Sequence, residues 1–256
     1  TGLSLTAGLR LDIQNVKIDY ASSAQMNYEM YRTPGNIVIS QDKFWASYKS
    51  DQSKSFAPLL PKIALQYNLT KKSNVYAQLS RGYRGGGYNI QMLSDYLQAD
   101  VKKNSEEKLN DEDINKALRY KPEYSWNYEA GAHLSALGRA LTLNASIFYM
   151  DVKDQQLAKF TENGMGRYTS NAGKSHSAGV ECSARYSPSM NWSASIDYGH
   201  TDARFGGELK GKSVPLAPRN TLHIAASYTI PMVFTNSPMP YTMDSQGLTI
   251  SMHYTG

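Results

Sequence analysis

Residues 177–199 read SAGVECSARYSPSMNWSASIDYG, and this stretch decides the fold. It contains two runs in which apolar and polar side chains alternate, separated by the short polar segment 187–189. Because successive side chains of a β-strand point to opposite faces, each run predicts a strand with one apolar and one polar face. The short connection between the runs predicts that the two strands form an antiparallel hairpin.

The same two-residue period recurs along most of the chain. Nine segments keep it, and no stretch of comparable length shows helical periodicity. The phase of the first segment reverses after Asn15, which predicts either a bulge or the point at which a strand leaves a bilayer. Residues 95–118 are the one stretch that tolerates a helix, and we interpret them as a solvated loop that could carry a short one. The nine segments are 3–13, 62–68, 74–80, 125–134, 141–149, 177–186, 190–199, 221–228 and 248–254.

The connections between these segments alternate between short polar turns and long polar excursions. An outer-membrane barrel has this layout, because short turns join its strands on the periplasmic side and longer loops join them on the outer side. In a soluble β-sandwich nothing forces the long loops onto one end. The predicted short turns are 68–73, 135–140 and 187–189, and the predicted long loops are 21–53, 84–120, 152–170 and 204–219.

The two faces of the predicted strands differ in chemistry. Aromatic residues stand at the ends of the apolar rows, where a membrane barrel has its girdles. These aromatic residues are Tyr20, Tyr67, Trp126, Tyr128, Tyr149, Tyr186, Trp192, Tyr198, Tyr228 and Tyr254. Charged residues on the opposite rows would be costly in a packed core, so we expect a hydrated lumen beside them. We expect Leu143, Ile147, Val180, Ile196, Ile224 and Ile250 to face lipid, and Glu129, Glu181, Arg185 and Asp197 to face the lumen.

The composition argues against several other classes of protein. The mean hydropathy is −0.51, and no window approaches the roughly 18 uninterrupted apolar residues of a membrane-spanning helix. The net charge of +5 comes from basic residues spread along the chain, without the basic stripe of a nucleic-acid-binding protein. The single cysteine, Cys182, excludes a disulfide framework and a cysteine-based zinc site. The histidines lack zinc-binding spacing and no nucleophile elbow is present, so we expect no metal, no cofactor and no catalytic residue.

Several short strings carry a resemblance to a known family. They are PKIALQY (61–67), YAQLSRGYRGGGYN (76–89), YKPE (120–123) with WNYEAG (126–131), FYMDV (148–152) with DQQ (154–156), SNAG (170–173) with GVE (179–181), and VP (214–215) with AP (217–218) and NT (220–221). In this order and at this spacing they resemble the TonB-dependent receptors of Gram-negative outer membranes. The resemblance covers most of residues 55–230.

The resemblance implies an all-β antiparallel transmembrane barrel of roughly 22 strands, plugged by an N-terminal domain. It also implies outer-membrane lipid as a neighbour, a TonB partner reached through the plug, and uptake of a scarce ligand, with an iron–siderophore complex favoured. We expect residues 1–256 to form nine or ten strands of that barrel, without the plug domain and the closing strands. We therefore expect segments 3–13 and 248–254 not to pair with each other.

One loop near the outer end of a predicted strand is rich in aromatic and basic residues. Arg81, Tyr83, Arg84, Tyr88 and Asn89 could contact the ligand there, or could simply anchor the loop. Two other functions remain open on the sequence: a passive porin-like or structural outer-membrane barrel, and a soluble β-sandwich binding module. An upstream plug and TonB box would distinguish the receptor from the passive barrel.

Overall fold

The structure is a computed structural model of the chain, and it describes residues 2–32, 34–35, 37–103, 111–160, 166–171, 173–231 and 247–255. The strands are β1 (Gly2–Leu11), β2 (Gln14–Arg32), β3 (Ile37–Phe56), β4 (Leu59–Thr70), β5 (Ser73–Arg84), β6 (Gly87–Tyr88), β7 (Arg119–Tyr120), β8 (Glu123–Ala136), β9 (Leu141–Lys153), β10 (Gln156–Phe160), β11 (Arg167–Asn171), β12 (Ser175–Ser189), β13 (Trp192–Phe205), β14 (Asn220–Pro231) and β15 (Gly247–Thr255). The helices are α1 (Met92–Lys103) and α2 (Asp111–Leu118).

The largest feature is an antiparallel sheet that we call the wall. Within the described residues it has nine strands, in the order β1-β4-β5-β8-β9-β12-β13-β14-β15. Each of the nine alternating segments of the sequence supplies one of these strands, so the prediction of an antiparallel all-β sheet is confirmed. In the described part of the chain β1 pairs only with β4 and β15 only with β14. The sheet is therefore open, and its first and last strands do not pair with each other, as expected.

The strand register joins the alternating rows into two continuous faces. Ile147 lies opposite Ala130 on one side and Val180 on the other, and Ile196 lies opposite Ala184 and Ile224. Since cross-strand partners point to the same side of a sheet, these side chains share one face, which we call the apolar face. The other rows form the polar face. Leu143, Ile147, Val180, Ile196 and Ile224 lie on the apolar face, whereas Glu129, Glu181, Arg185 and Asp197 lie on the polar face. For Ile250 the structure describes the backbone pairing with Tyr228 but not the side chain.

Nothing in the described part of the chain covers the apolar face. Leu5 is 69% exposed and Ile147 61% exposed, although both lie well inside their strands. A soluble β-sandwich would bury such a face against a second sheet. A continuous uncovered apolar surface of this extent needs another apolar partner.

The buried hydrophobic cluster of the chain lies outside the wall. β2 and β3 form a long hairpin between β1 and β4, and α1 and α2 pack on one side of it. We call this hairpin and the two helices the cap. Leu93 and Leu97 lie one turn apart on α1, as do Ile114 and Leu118 on α2, so each helix presents one apolar stripe. The stripes pack against the buried hairpin residues Ile18, Tyr20, Ala46 and Tyr48.

The structure of the cap differs from three predictions made from the sequence. Residues 21–53 are mostly strand rather than a loop excursion, and the phase reversal near Asn15 coincides with the start of β2. Residues 95–118 belong largely to two helices with buried residues rather than to a solvated loop. Tyr20 is 8% exposed and lies inside the cap, so it does not belong to a membrane girdle.

The ends of the wall differ, with tight connections at one end and longer ones at the other, as the sequence predicts. The predicted turn 187–189 is an exception: these residues are the last part of β12, and the tight connection follows at 190–191. Tight connections at 71–72, 137–140 and 190–191 share one end, which we call the turn end. Four longer connections share the opposite end, which we call the cap end, because the strands alternate in direction. Residues 232–246, between β14 and β15 in the chain, lie outside the described residues. No helix in the described ranges is long and apolar enough to cross a membrane.

Candidate functional site

The polar face of the wall carries an open concavity of about 460 Å³. Six neighbouring wall strands contribute to it, β5, β8, β9, β12, β13 and β14. The polar side chains that line the concavity include Tyr76, Glu129, His133, Asn144, Glu181, Ser183, Asp197 and His223. Because polar residues occupy alternate positions of each strand, the pairing register alone brings these side chains together.

Glu129 is the best-satisfied carboxylate of this concavity. The hydroxyl of Tyr76 donates to Glu129 Oε1 at 2.6 Å, and Gln78 Nε2 donates to Oε2 at 2.8 Å. Tyr76 and Gln78 stand two residues apart on β5, so both reach the same neighbour on β8. The Tyr76 ring also stacks on His133, with the centroids 5.1 Å apart. These contacts hold the carboxylate in one position on the polar face.

A second chain of polar contacts continues across the next strands. His133 Nδ1 and Asn144 Oδ1 are 2.8 Å apart, and Asn144 Nδ2 donates to Ser183 Oγ at 2.9 Å. Further along, His223 Nδ1 lies 3.2 Å from Asp197 Oδ2. Hydrogen bonds of this kind keep a wall face hydrophilic while fixing its side chains.

Two charged residues of the polar face are exposed on one strand. Glu181 and Arg185 stand exposed four residues apart on β12. In the described ranges no three histidine, cysteine, aspartate or glutamate side chains come close enough to hold a metal ion. That Glu129, Glu181, Arg185 and Asp197 face a lumen stays a prediction, although the register places all four on this face.

The five candidate ligand residues do not form one cluster. Arg81 and Tyr83 have the parity of the apolar face, opposite Trp126 and Tyr124. Arg84 has the parity of the polar face and is exposed. The sequence analysis grouped Arg81, Tyr83 and Arg84 because they are close in the sequence. The strand register places Arg84 on the opposite face from Arg81 and Tyr83.

Tyr88 and Asn89 serve the cap end as anchors. Tyr88 packs against the buried cluster of the cap. Asn89 forms two hydrogen bonds with the backbone of Thr169: its Nδ2 donates to the Thr169 carbonyl at 2.8 Å, and the Thr169 N–H donates to Asn89 Oδ1 at 2.7 Å. The side-chain amide of Asn89 thus pairs with the backbone of Thr169 as the backbone of a neighbouring strand would. Ligand contact by any of the five residues stays a prediction.

Further amide side chains, which the sequence analysis did not identify as functional, join the connections at the cap end. Gln156 Nε2 donates to the carbonyls of Gly85 and Lys121 at 2.8 and 3.0 Å, and its backbone N–H donates to Glu123 Oε2 at 2.6 Å. Asn171 Nδ2 donates to the Lys121 carbonyl at 3.0 Å. We call β10 and β11 the side hairpin, and these bonds fix the side hairpin to the connection that carries α1 and α2. Gln156 is 7% exposed, so the bonds are largely shielded from water.

The hairpin of the cap is fixed in the same way. Tyr83 Oη donates to Gln14 Oε1 at 3.0 Å, and a Cβ on Gly85 would collide with the same Gln14 amide. Asn115 on α2 accepts from Tyr20 Oη at 3.0 Å and donates to Ser50 Oγ at 3.0 Å. Burial in α1 raises the pKa of the Tyr96 phenol above its ordinary value. The cap end is therefore a preorganised assembly rather than a set of separate loops.

Comparison with known proteins identifies the family. The family model described as TonB dependent receptor-like, beta-barrel, matches residues 1–253. The chain belongs to the TonB-dependent receptor family. The pesticin receptor of Yersinia enterocolitica is 30% identical over 201 residues, which cover 72% of this chain and 26% of that protein. This chain therefore spans about a quarter of the length of the curated relatives that it matches.

Solved structures agree with this assignment. The ferric yersiniabactin uptake receptor FyuA from Yersinia pestis is 25% identical, with a TM-score of 0.56 over 90% of this chain and 29% of that one. The copper transporter OprC is 17% identical, with a TM-score of 0.54 over 88% of this chain and 30% of that one. This second likeness concerns the fold. TonB-dependent receptors are outer-membrane β-barrels, and we therefore expect the apolar face of the wall to contact membrane lipid.

Aromatic pairs mark both limits of the lipid-facing band in this TonB-dependent receptor wall. Tyr128 and Tyr149 pair across β8 and β9 near the cap end, with centroids 6.2 Å apart. Tyr186 and Trp192 make an edge contact near the turn end, with centroids 5.7 Å apart. Eight residues along β9 separate Tyr149 from Leu141 at the turn end. At about 3.4 Å per residue and a tilt of about 40°, they span about 21 Å, close to the apolar band of about 25 Å in such barrels.

Proposed function

We propose that this chain forms part of the barrel wall of an outer-membrane receptor that imports a scarce nutrient, with energy delivered through TonB. An iron–siderophore complex is the nutrient that we favour. The observation that carries the proposal is the two-faced wall: one side is uncovered and apolar, and the other is lined by fixed polar and charged groups. A wall of this kind separates lipid from a hydrophilic interior.

The edges of the wall support a larger barrel. β1 and β15 each have one row of backbone N–H and C=O groups without a strand partner in the described chain. Lipid cannot satisfy these groups, and an unpaired edge in a membrane costs several kcal/mol for each one. Further strands of the same barrel would pair with both edges. A plug domain in the interior would be the part that contacts TonB.

The names of the relatives support the choice of nutrient. The solved relative at 25% identity is a ferric yersiniabactin uptake receptor, and the curated relative at 30% identity is a pesticin receptor. Both point to a receptor that recognises ligands at the cell surface. Of the five candidate ligand residues, we propose that Arg84 contacts the ligand, because it is exposed on the polar face at the cap end.

Uptake of radioactive iron by cells that carry the complete receptor tests the proposal. Cells grown under iron limitation should accumulate iron from one ferric siderophore of a panel, and should lose this uptake when either the receptor or TonB is deleted. A passive porin-like barrel would instead admit small solutes without TonB. Uptake that persists without TonB, or no receptor-dependent uptake of any siderophore in the panel, would overturn the proposal.

Arg84→Ala tests the ligand contact separately. The substitution should weaken binding of the imported siderophore, because a charged hydrogen bond contributes about 1.5–3 kcal/mol. Arg185→Ala removes an exposed arginine of the same face near the turn end and serves as the matched control. Equal binding by the two variants would remove Arg84 from the ligand site.

A further inference from the structure

Arg81 stands in an unusual place for a charged residue. It lies on the apolar face at the cap end of β5, two residues beyond Leu79, which has the same parity. Its guanidinium lies over the ring of Tyr124, with Cζ 4.8 Å from the centroid, and 6.0 Å from the centroid of Trp126. An arginine at this position faces the membrane boundary rather than the interior of the barrel.

The guanidinium of Arg81 lacks a strong partner. Nη1 donates to the Leu59 carbonyl at 3.4 Å, which is longer than the range of about 2.7–3.2 Å typical of such a hydrogen bond. Nε is buried and has no acceptor. Among the described residues no carboxylate forms an ion pair with Arg81. A partly buried cation in this state gains free energy from any anion that approaches from the open side.

The cross-strand row through Arg81 lies just beyond the lipid-facing band. This row runs through Trp126, Asp151, His176 and Arg204, and each residue lies directly opposite the next. The neighbouring row toward the turn end contains Leu79, Tyr128, Tyr149, Ala178 and Asp202. On β5 itself the apolar row ends at Leu79, and the next side chain on this face is the Arg81 guanidinium beside Tyr124 and Trp126. An arginine among aromatic rings at the end of an apolar row lies at the height of the lipid headgroups.

We propose that Arg81, held against Tyr124 and Trp126, binds the phosphate of an anionic lipid on the outside of the barrel. Phosphate is the anion carried by lipid headgroups at this height. The planar guanidinium can donate to two phosphate oxygens at once, and its stacking on Tyr124 already fixes its orientation. The proposal rests on the proposed function, in which the cap end is the outer end, so the lipid belongs to the outer leaflet.

Lipid counting on the complete receptor tests the proposal. The receptor in detergent is titrated with phosphatidylglycerol or with phosphatidylcholine, and bound lipid is counted by native mass spectrometry. Wild-type receptor should bind phosphatidylglycerol more tightly than phosphatidylcholine. Arg81→Gln should weaken phosphatidylglycerol binding roughly tenfold, which is the loss of one charge-assisted hydrogen-bonding group.

Two further variants separate a specific effect of Arg81 on lipid binding from a general effect of removing a charge. Arg185→Gln removes an exposed arginine of the same sheet on the polar face and should leave lipid binding unchanged. Arg81→Lys keeps the charge but loses the planar donor pair, so it should bind phosphatidylglycerol with intermediate affinity. If Arg81→Gln does not fold, the Arg81→Lys variant and the wild-type preference between the two lipids decide the question.

Several outcomes would overturn the proposal. These are equal binding of the two lipids by wild-type receptor, unchanged binding in Arg81→Gln, or displacement of the lipid by inorganic phosphate at similar concentration. The last result would make free phosphate the ligand. Iron uptake does not enter this measurement, so a receptor that binds lipid through Arg81 but imports no siderophore would contradict only the proposed function.

Discussion

Replacing Ile196 by arginine tests whether the apolar face contacts lipid. Ile196 is 45% exposed and lies on β13 midway between Trp192 and His200, which mark the two limits of the apolar row on this strand. Four residues in either direction, at about 3.4 Å each and a tilt of about 40°, place Ile196 about 10 Å from each limit. It therefore lies near the middle of the membrane. An arginine at the midplane of a barrel wall costs about 2–4 kcal/mol of folding free energy.

Ser183→Arg is the matched control for Ile196→Arg. Ser183 lies on the polar face of the adjacent strand, directly opposite Asp197, so a new guanidinium there gains a carboxylate neighbour. It loses only the hydrogen bond accepted from Asn144, and its cost should stay near or below about 1 kcal/mol. Urea unfolding of the complete receptor in lipid vesicles, analysed by midpoint and slope, measures both variants. Equal losses in the two variants would refute the assignment of the faces.

Three further predictions concern the two ends of the wall and the cap. A cysteine at Lys212 should react with an impermeant maleimide on intact cells, whereas a cysteine at Lys72 should not. The reverse result would invert the orientation of the wall in the membrane. The loop positions 104 and 164 also suit this assay but lie outside the described residues. Asn89→Ala should increase amide hydrogen exchange in the side hairpin, because it removes two hydrogen bonds of about 1 kcal/mol each. The control Asn15→Ala should leave exchange in the side hairpin unchanged. Unchanged exchange in both variants would contradict the anchoring role of Asn89. Ile114→Ala should lower the free energy of unfolding of the cap by about 2–5 kcal/mol, detected as faster proteolysis of the cap in a receptor whose wall keeps its urea midpoint.

The wall could be predicted from the sequence because one physical constraint acts on every residue of it. A strand between lipid and a polar interior must alternate with a period of two, and a slip of one residue would exchange the faces. The row from Ala178 to Tyr186 shows this constraint in its simplest form.

The cap escaped prediction because its order depends on contacts between distant segments. α2 has only eight residues and two core residues, Ile114 and Leu118, and an isolated helix of this length is unstable in water. It becomes helical by packing on the hairpin. The Asn89–Thr169 pair joins residues 80 apart in the chain, and no local pattern distinguishes such an asparagine from a solvated one. For Arg81 and Tyr83 the sequence left ligand contact and loop anchoring both open, and only the pairing register shows the aromatic residues Trp126 and Tyr124 opposite them.

The separation of the two parts has a consequence for mutagenesis. The wall is stabilised by its strand ladder, whereas the cap is stabilised by its own buried cluster and by the side-chain hydrogen bonds of Asn115 with Tyr20 and Ser50. In the described chain Tyr83 on β5 joins the two parts, because it donates a hydrogen bond to Gln14 at the base of the hairpin. Substitutions in the cap should therefore leave the stability of the wall unchanged, since additivity holds for distant groups without shared partners. Substitutions at the junction should couple the two, and Gln14→Ala combined with Tyr83→Phe in a double-mutant cycle measures that coupling directly.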